Sequence, residues 1–171
     1  MSSNEPLYVE RQSFKQWGIW FIVISASMLL FWGTFQVIIL DSPAGTNPWS
    51  NFILIIFGLI FGIGLPIFIY SLRLDTKVMT NKLCIRFIPF HRKWVEFDFE
   101  IIKMVEARTY SPIKDYGGWG IRYGGKKGKA YNVTGNQGVL VILRDDRKIL
   151  IGSRKHELLC SVIMDQMKAA K

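Results

Sequence analysis

Apolar residues form two long uninterrupted stretches in the first 72 residues, whereas apolar and polar residues alternate over short distances in the rest of the chain. No Asp, Glu, Lys or Arg occurs from Gln16 to Leu40, and none occurs from Ser42 to Leu72. Each stretch holds roughly 20 apolar residues, the length that a helix needs to cross about 30 Å of hydrocarbon. The pattern therefore predicts two transmembrane helices, at residues 18–40 and 52–72.

Two other structures could give such stretches, and neither fits well. A signal peptide has a shorter apolar region followed by a cleavage site of small residues, whereas the first stretch is long, rich in Trp and Phe, and lacks such a site. A core helix of a soluble protein normally has a polar face, and the second stretch has none. Membrane spans remain the better interpretation of both.

The segment between the stretches, residues 41–51, reads "DSPAGTNPWSN" and is rich in turn formers, so the two helices should form a hairpin with a short outside loop. Lys and Arg flank only the other ends of the helices: Arg11, Lys15, Arg73, Lys77 and Lys82. This asymmetry predicts a multi-pass protein of the cell membrane with both termini in the cytoplasm. The chain then divides into a cytoplasmic arm (1–17), the hairpin (18–72) and a cytoplasmic domain (73–171).

Short strands are predicted for most of the domain. The run "LDTKVMTNKLCIRFIPF" indicates two strands around a tight turn at Thr80–Asn81, and "KWVEFDFEIIKMVEAR" shows further alternation. The run "GVLVILRDDRKILIGS" is typical of a hairpin that turns at Asp145–Asp146.

One amphipathic helix is predicted after Ser153, a good N-cap residue. Leu159, Ile163 and Met167 recur every four residues and form one apolar stripe. Such a helix must bury its stripe, and the strands offer the surface for it. The predicted fold class is therefore a two-helix transmembrane hairpin followed by an α+β domain.

Basic residues are concentrated in the domain. Residues 73–171 contain 20 of the 22 Lys and Arg and 10 of the 13 Asp and Glu, which gives this segment a net charge of +10. A basic domain at a cytoplasmic membrane surface is attracted to anionic lipid. The charge would also suit nucleic acid, but no nucleic-acid partner is expected. The alternative is that these charges have no specific partner. They would then lie on a solvated surface and reflect the excess of Lys and Arg on the cytoplasmic side of membrane proteins.

A glycine-rich stretch at residues 115–138, "DYGGWGIRYGGKKGKAYNVTGNQG", resembles a phosphate-binding loop only in part. Lys127 stands where the GxxxxGK[ST] motif needs a hydroxyl, and β-forming residues follow where the motif needs a helix. We instead predict a strand, a turn at residues 124–128 and a return strand. The glycines assigned to turns are Gly117, Gly118, Gly120, Gly124, Gly125, Gly128, Gly135 and Gly138.

The same stretch carries four basic residues with no acid close to them in the sequence pattern: Arg122, Lys126, Lys127 and Lys129. Lysines beside exposed backbone amides can bind an anion. These four residues are therefore a candidate contact for an anion or a lipid headgroup. The alternative is a solvated hairpin tip.

Residues for catalysis or metal binding are scarce. His156 and Glu157 begin an HExxH pattern, but Cys160 occupies the second histidine position. Cys84 and Cys160 are far apart, and no CxxC motif occurs. No catalytic residue, metal site or cofactor is predicted, and a nucleotide-binding enzyme is the interpretation with the least support.

The segments "YGGWGIR", "AYNVTGNQGV" and "DDRKILIGS", in this order, resemble a set of largely uncharacterised bacterial membrane proteins with two N-terminal spans and a cytoplasmic domain like a pleckstrin-homology (PH) domain. The resemblance implies an antiparallel barrel or sandwich capped by a C-terminal helix. Lipid-binding PH domains place basic residues around a long loop between their first two strands. The corresponding loop here is about "MTN", residues 79–81, so no headgroup cage is expected there.

These observations predict a non-enzymatic integral membrane protein that presents a basic PH-like module to a protein or membrane partner. The alternative is a module that binds anionic lipid. Gly58 and Gly62 form a GxxxG pattern in the second stretch, which allows close helix packing, either within the hairpin or in self-association.

Overall fold

The computed structural model describes residues 5–40 and 48–169. These residues form two compact units. One unit contains residues 14–71 and is helical. The other joins residues 5–13 to residues 72–169 and contains all of the strands.

The helical unit contains two helices that are long and apolar enough to cross a membrane, Trp17–Ile38 and Trp49–Ser71. The first is helix α1. The second is continuous but changes its winding, from α2 (Pro48–Phe57) through a π-helical segment (Gly58–Gly64) to α3 (Leu65–Ser71). It begins before the predicted residue 52, because proline suits a first helical turn. Residues 41–47 of the predicted outside loop lie outside the described residues.

Gly58 and Gly62 are buried, and both face α1 of the same chain. A Cβ atom at Gly58 would overlap the Thr34 hydroxyl, and one at Gly62 would lie 3.5 Å from the Phe31 ring. The absent side chains thus allow the two helices of the hairpin to approach closely. This packing explains the GxxxG pattern without a second copy of the chain.

The strands form two sheets. The first sheet is an antiparallel meander in chain order, with strands β1 (Tyr8–Ser13), β2 (Arg73–Val78), β3 (Lys82–Ile88) and β4 (Val95–Asp98). The second sheet has the order β5-β8-β9-β7-β6, with β5 (Ile102–Thr109), β6 (Gly120–Tyr123), β7 (Lys129–Asn132), β8 (Gln137–Leu143) and β9 (Lys148–Gly152). Within this sheet β7 and β9 are parallel, and the other paired strands are antiparallel.

Two helices complete this unit, α4 (Pro112–Tyr116) and α5 (His156–Ala169). Helix α5 packs on β5 and β8 and buries Leu159 and Ile163 completely. The predicted turns at Thr80–Asn81 and Asp145–Asp146 connect strands as expected. The α+β class with a C-terminal capping helix is therefore confirmed.

Strand β1 is the main feature that the sequence did not predict. It pairs with β2 along its whole length, from Tyr8 opposite Val78 to Ser13 opposite Arg73. The sequence "YVERQS" gives little strand signal, because an edge strand exposes polar side chains. As a result, the helical hairpin connects the first two strands of the sheet. The turn at residues 79–81, which the sequence suggested as the first loop, connects the second and third strands.

Strand β1 also connects the two sheets. The Gln12 side chain is buried and donates from Nε2 to the carbonyl of Gly152 at 2.7 Å. The Glu10 carboxylate accepts from the Ser153 hydroxyl at 2.6 Å and from the Arg154 amide at 3.0 Å. Because Gly152 ends β9, these bonds hold the first sheet against the connection between β9 and α5.

Candidate functional site

An open groove of about 580 Å³ lies between β4 of the first sheet and β6, β7 and β9 of the second. Three aromatic side chains line it: Phe97, Tyr123 and Tyr131. Four cationic side chains also line it: Lys126, Lys129, Arg147 and Lys148. Asp146 is the one acid among the lining residues of this groove that the structure describes.

Strand pairing explains how Lys129 meets the aromatic residues. Lys129 lies directly opposite Tyr123, and Tyr131 is two residues further along the same strand, so all three share one face of the sheet. The Lys129 ammonium lies 4.8 Å from the centre of the Tyr131 ring and 5.3 Å from that of Tyr123. Burial lowers the pKa of Lys129, but hydrogen bonding to the two tyrosines outweighs it, and the net pKa is raised. Lys129 is therefore a cation held against two aromatic rings.

The acids near the groove are already paired. Asp146 binds Lys103 at 2.8 Å, and Asp145 binds Arg147 at 2.6 Å. Within the described parts of the chain, Lys126, Lys129 and Lys148 make no ion pair. Three uncompensated cations beside apolar rings give a surface suited to a ligand that carries a negative charge next to an apolar group.

The four basic residues predicted as an anion contact do not act as one group. Lys126 and Lys129 line the groove, as described. Lys127 instead pairs with Asp115 at 2.5 Å, which corrects the expectation that no acid lies nearby. Helix α4 brings Asp115 back to the turn, an approach that sequence spacing does not show. Arg122 lies opposite Ala130, on the other face of the strand pair from Lys129, and donates to the Trp119 carbonyl.

Arg147 and Lys148 are groove residues that the sequence did not single out. They follow the turn at Asp145–Asp146, and the parallel pairing of β7 with β9 brings them beside Lys129. The run "DDRK" is a local signal of a charged turn. Its proximity to the glycine-rich turn depends on a long-range strand pairing, which local patterns do not encode.

The glycine-rich turn has the predicted layout of strand, turn and return strand, with β7 after it where a phosphate loop would have a helix. Gly125 and Gly128 have φ values of 57° and 85°, a region that favours glycine. A Cβ atom at Gly128 would also overlap the carbonyl of Lys148. Gly128 thus allows the turn to lie directly against β9, which forms one wall of the groove.

The segment between β3 and β4, residues 89–94, adjoins the groove. The His91 ring lies 5.6 Å from the Tyr131 ring, and burial and then the nearby Lys129 charge lower the pKa of His91. Trp94 lies under two cations, with Lys77 at 4.8 Å and Arg86 at 4.5 Å from its ring centre. His91 within this loop and Trp94 at its end are therefore both held against the sheets.

The described residues contain no cluster of three or more His, Cys, Asp or Glu side chains arranged to hold a metal ion. His156 and Glu157 lie in the first turn of α5, and Cys160 is buried. The groove itself contains cations and aromatic rings, a combination suited to binding.

The fold and groove thus define an α+β domain with a basic, aromatic surface, whose first loop contains two helices that are long and apolar enough to cross a membrane. The chain belongs to a family of unknown function, DUF6141, whose profile matches residues 5–169. No curated protein matches the chain. The family match extends from the segment before β1 to the end of α5, so it covers both units.

Proposed function

We propose that this protein is a non-enzymatic integral membrane protein of the cell membrane. It holds a basic PH-like domain at the cytoplasmic face, where the domain binds a protein partner. The observation that carries the proposal is the pairing of β1 with β2 on either side of the helical hairpin.

This pairing constrains the topology. Ser13 lies opposite Arg73, α1 begins four residues after Ser13, and α3 ends two residues before Arg73. Two paired strands of one sheet cannot lie on opposite sides of a bilayer, so the chain between them must cross it an even number of times. Two spans satisfy this condition. The flanking Lys and Arg residues favour a cytoplasmic position for the domain.

The strand order supports the PH-like interpretation. Strands β1 to β4 form a four-stranded antiparallel meander, and β5, β8 and β9 form a three-stranded one. Helix α5 follows directly. The segment with α4, β6 and β7 is an addition between β5 and β8. Without it, the domain is an antiparallel sandwich capped by one helix, as the resemblance implies.

The residues of the groove favour a protein partner that presents acidic side chains next to an apolar side chain. The groove's three lysines without an ion pair among the described residues supply the charge, and the exposed Tyr123 ring supplies most of the apolar surface, above the buried Phe97. An anionic lipid headgroup is the second candidate. It is favoured by the same lysines, because each basic residue near an anionic surface contributes up to about 1 kcal/mol.

A charge-matched pair of variants tests this proposal in the full-length protein. The groove variant replaces Lys126, Lys129 and Lys148 with Ala, and the control replaces the exposed Lys114, Lys155 and Lys168, which lie outside the groove. Each protein is purified in mild detergent, and mass spectrometry identifies co-purified proteins and lipids. We expect a stoichiometric membrane protein with the wild type and the control, and its loss with the groove variant. Loss of an anionic lipid alone would favour the second candidate, and no difference would contradict a role for the groove.

A further inference from the structure

The loop at residues 89–94 leaves the first sheet at the end that is tethered to both helices. Strand register places Ser13 opposite Arg73, and Arg73 opposite Ile88, so these three residues form one row across the sheet. Ile88 ends β3 and leads directly into the loop. Since neighbouring strands are about 4.8 Å apart, Ile88 lies roughly 5 Å from Arg73 and 10 Å from Ser13.

The chain segments that connect the two helices to this sheet are short. Only Leu72 separates α3 from β2, so Arg73 lies within about 7 Å of the end of the helix. The headgroup layer of a bilayer is about 5–8 Å thick on each side. If the helices span a membrane, this row of the sheet must therefore lie at or next to the headgroup layer. The opposite end of the sheet, at Val78 and Leu83, is about 17 Å further along the strands.

The loop has the chemistry of a membrane interface. Phe90 is 60% exposed, and the exposed Arg92 and Lys93 follow it closely. Neither cation makes an ion pair with the residues that the structure describes. An apolar ring beside basic side chains places the ring in the boundary between headgroups and acyl chains and the charges among the headgroups.

Three other basic residues at this end, Arg11, Arg73 and Arg86, share one acid. Asp75 is almost fully buried and accepts from Arg11 and Arg86 at 3.0 Å each, with Arg73 at 3.6 Å. Arg92 and Lys93, like the exposed Lys15 before α1, make no ion pair with the residues that the structure describes, so they remain available to anionic lipid. The loop is also held in place, since His91 donates from its amide to the Phe87 carbonyl at 2.8 Å.

We propose that the loop at residues 89–94 inserts Phe90 into the membrane interface, with Arg92 and Lys93 bound to anionic lipid headgroups. This inference rests on the proposed membrane anchor. It gives the domain a third point of attachment, beside the two chain connections, and fixes its tilt on the membrane.

Fluorescence quenching in reconstituted vesicles tests the loop. Phe90→Cys is made in a full-length variant that lacks Cys84 and Cys160, and the thiol receives an environment-sensitive fluorophore. Thr80→Cys, in the exposed turn at the opposite end of the sheet, is the matched control. The vesicles contain phosphatidylcholine with or without phosphatidylserine, together with nitroxide-labelled lipid as the quencher.

We expect strong quenching at position 90 in the vesicles that contain phosphatidylserine and weak quenching at position 80. Adding R92A and K93A should lower the ratio of inserted to free loop by about tenfold or more. K155A and K168A, which remove the same charge elsewhere, should leave this ratio unchanged. Equal quenching at positions 90 and 80, in protein that resists carbonate extraction, would overturn the loop inference and leave the anchor intact. Release of the protein by carbonate would overturn both.

Discussion

At the scale of single residues, two constraints coincide at Gly128, whereas Gly124 and Gly125 in the same turn each have one of them. The φ of 85° at Gly128 disfavours any side chain, and its missing Cβ leaves room for the carbonyl of Lys148. Gly125 also has a positive φ, but a Cβ atom there would meet open space. Substitutions at Gly125 and Gly128 therefore distinguish the energetic cost of backbone strain from that of steric overlap.

We expect Gly128→Ala to lower the free energy of unfolding by about 2 kcal/mol or more, because strain and overlap add. Gly125→Ala should cost about 1 kcal/mol, because it adds only the strain. Lys126→Ala, on the surface of the same turn, should stay within about 0.5 kcal/mol of the wild type. Denaturant unfolding in mild detergent gives all three values. A larger loss for Lys126→Ala than for Gly128→Ala would show that charge, not backbone geometry, maintains the turn.

At this scale the sequence predicted part of the candidate site. Lys126 and Lys129 were predicted because they lie close together in the chain beside turn-forming glycines. Arg147 and Lys148 were missed because only the pairing of β7 with β9 brings them to the groove. The ion pair between Lys127 and Asp115 was missed for a similar reason, since it depends on the position of α4. Local composition thus identified the basic turn but not the groove that this turn forms together with other strands.

At the scale of elements, the strands with regular alternation of Val, Ile and Leu were predictable, and β1 was not. Strands β8 and β9 lie in the middle of a sheet, so nearly all of their residues are buried and most of these are apolar. Strand β1 is an edge strand with the sequence "YVERQS", and its partner β2 follows some 60 residues later, after the hairpin. A short polar strand with a distant partner has no local signal strong enough to identify it.

We expect β1 to be required for the stability of the domain, because Glu10 and Gln12 join it to the end of β9. Glu10→Ala removes acceptors for Ser153 and Arg154 and should lower the free energy of unfolding by about 1–3 kcal/mol. Glu5→Ala, at an exposed position before β1, is the control and should have little effect. Thermal unfolding of the two variants in mild detergent compares them. Equal melting temperatures would mean that the hydrogen bonds of Glu10 contribute little to the stability of the domain.

A practical consequence follows for the isolated domain. A fragment of residues 73–171 lacks β1 and leaves β2 as an unpaired edge. Because Ser13 lies opposite Arg73, a short Gly-rich linker could instead join residues 1–13 to residues 72–171 in place of the hairpin. Binding studies on a soluble form of the domain should use that linked form.

At the scale of the whole molecule, the proposed function requires one topology: the hairpin crosses the membrane twice and returns the chain to the same sheet. The length and composition of the two helices allow this, and the pairing of β1 with β2 requires an even number of crossings once the helices are in a membrane. The basic groove and the loop at residues 89–94 then lie on the same side of the membrane, which we propose is the cytoplasmic side. Both binding proposals depend on that position.

Accessibility of single cysteines in intact cells measures this topology directly. Ser42→Cys, Glu5→Cys and Ser161→Cys are made one at a time in a protein that lacks Cys84 and Cys160, and an impermeant thiol reagent is applied before and after permeabilisation. We expect labelling at position 42 in intact cells, and labelling at positions 5 and 161 only after permeabilisation. Labelling of positions 5 and 161 on opposite sides of the membrane, or the reverse of the predicted pattern, would contradict this topology.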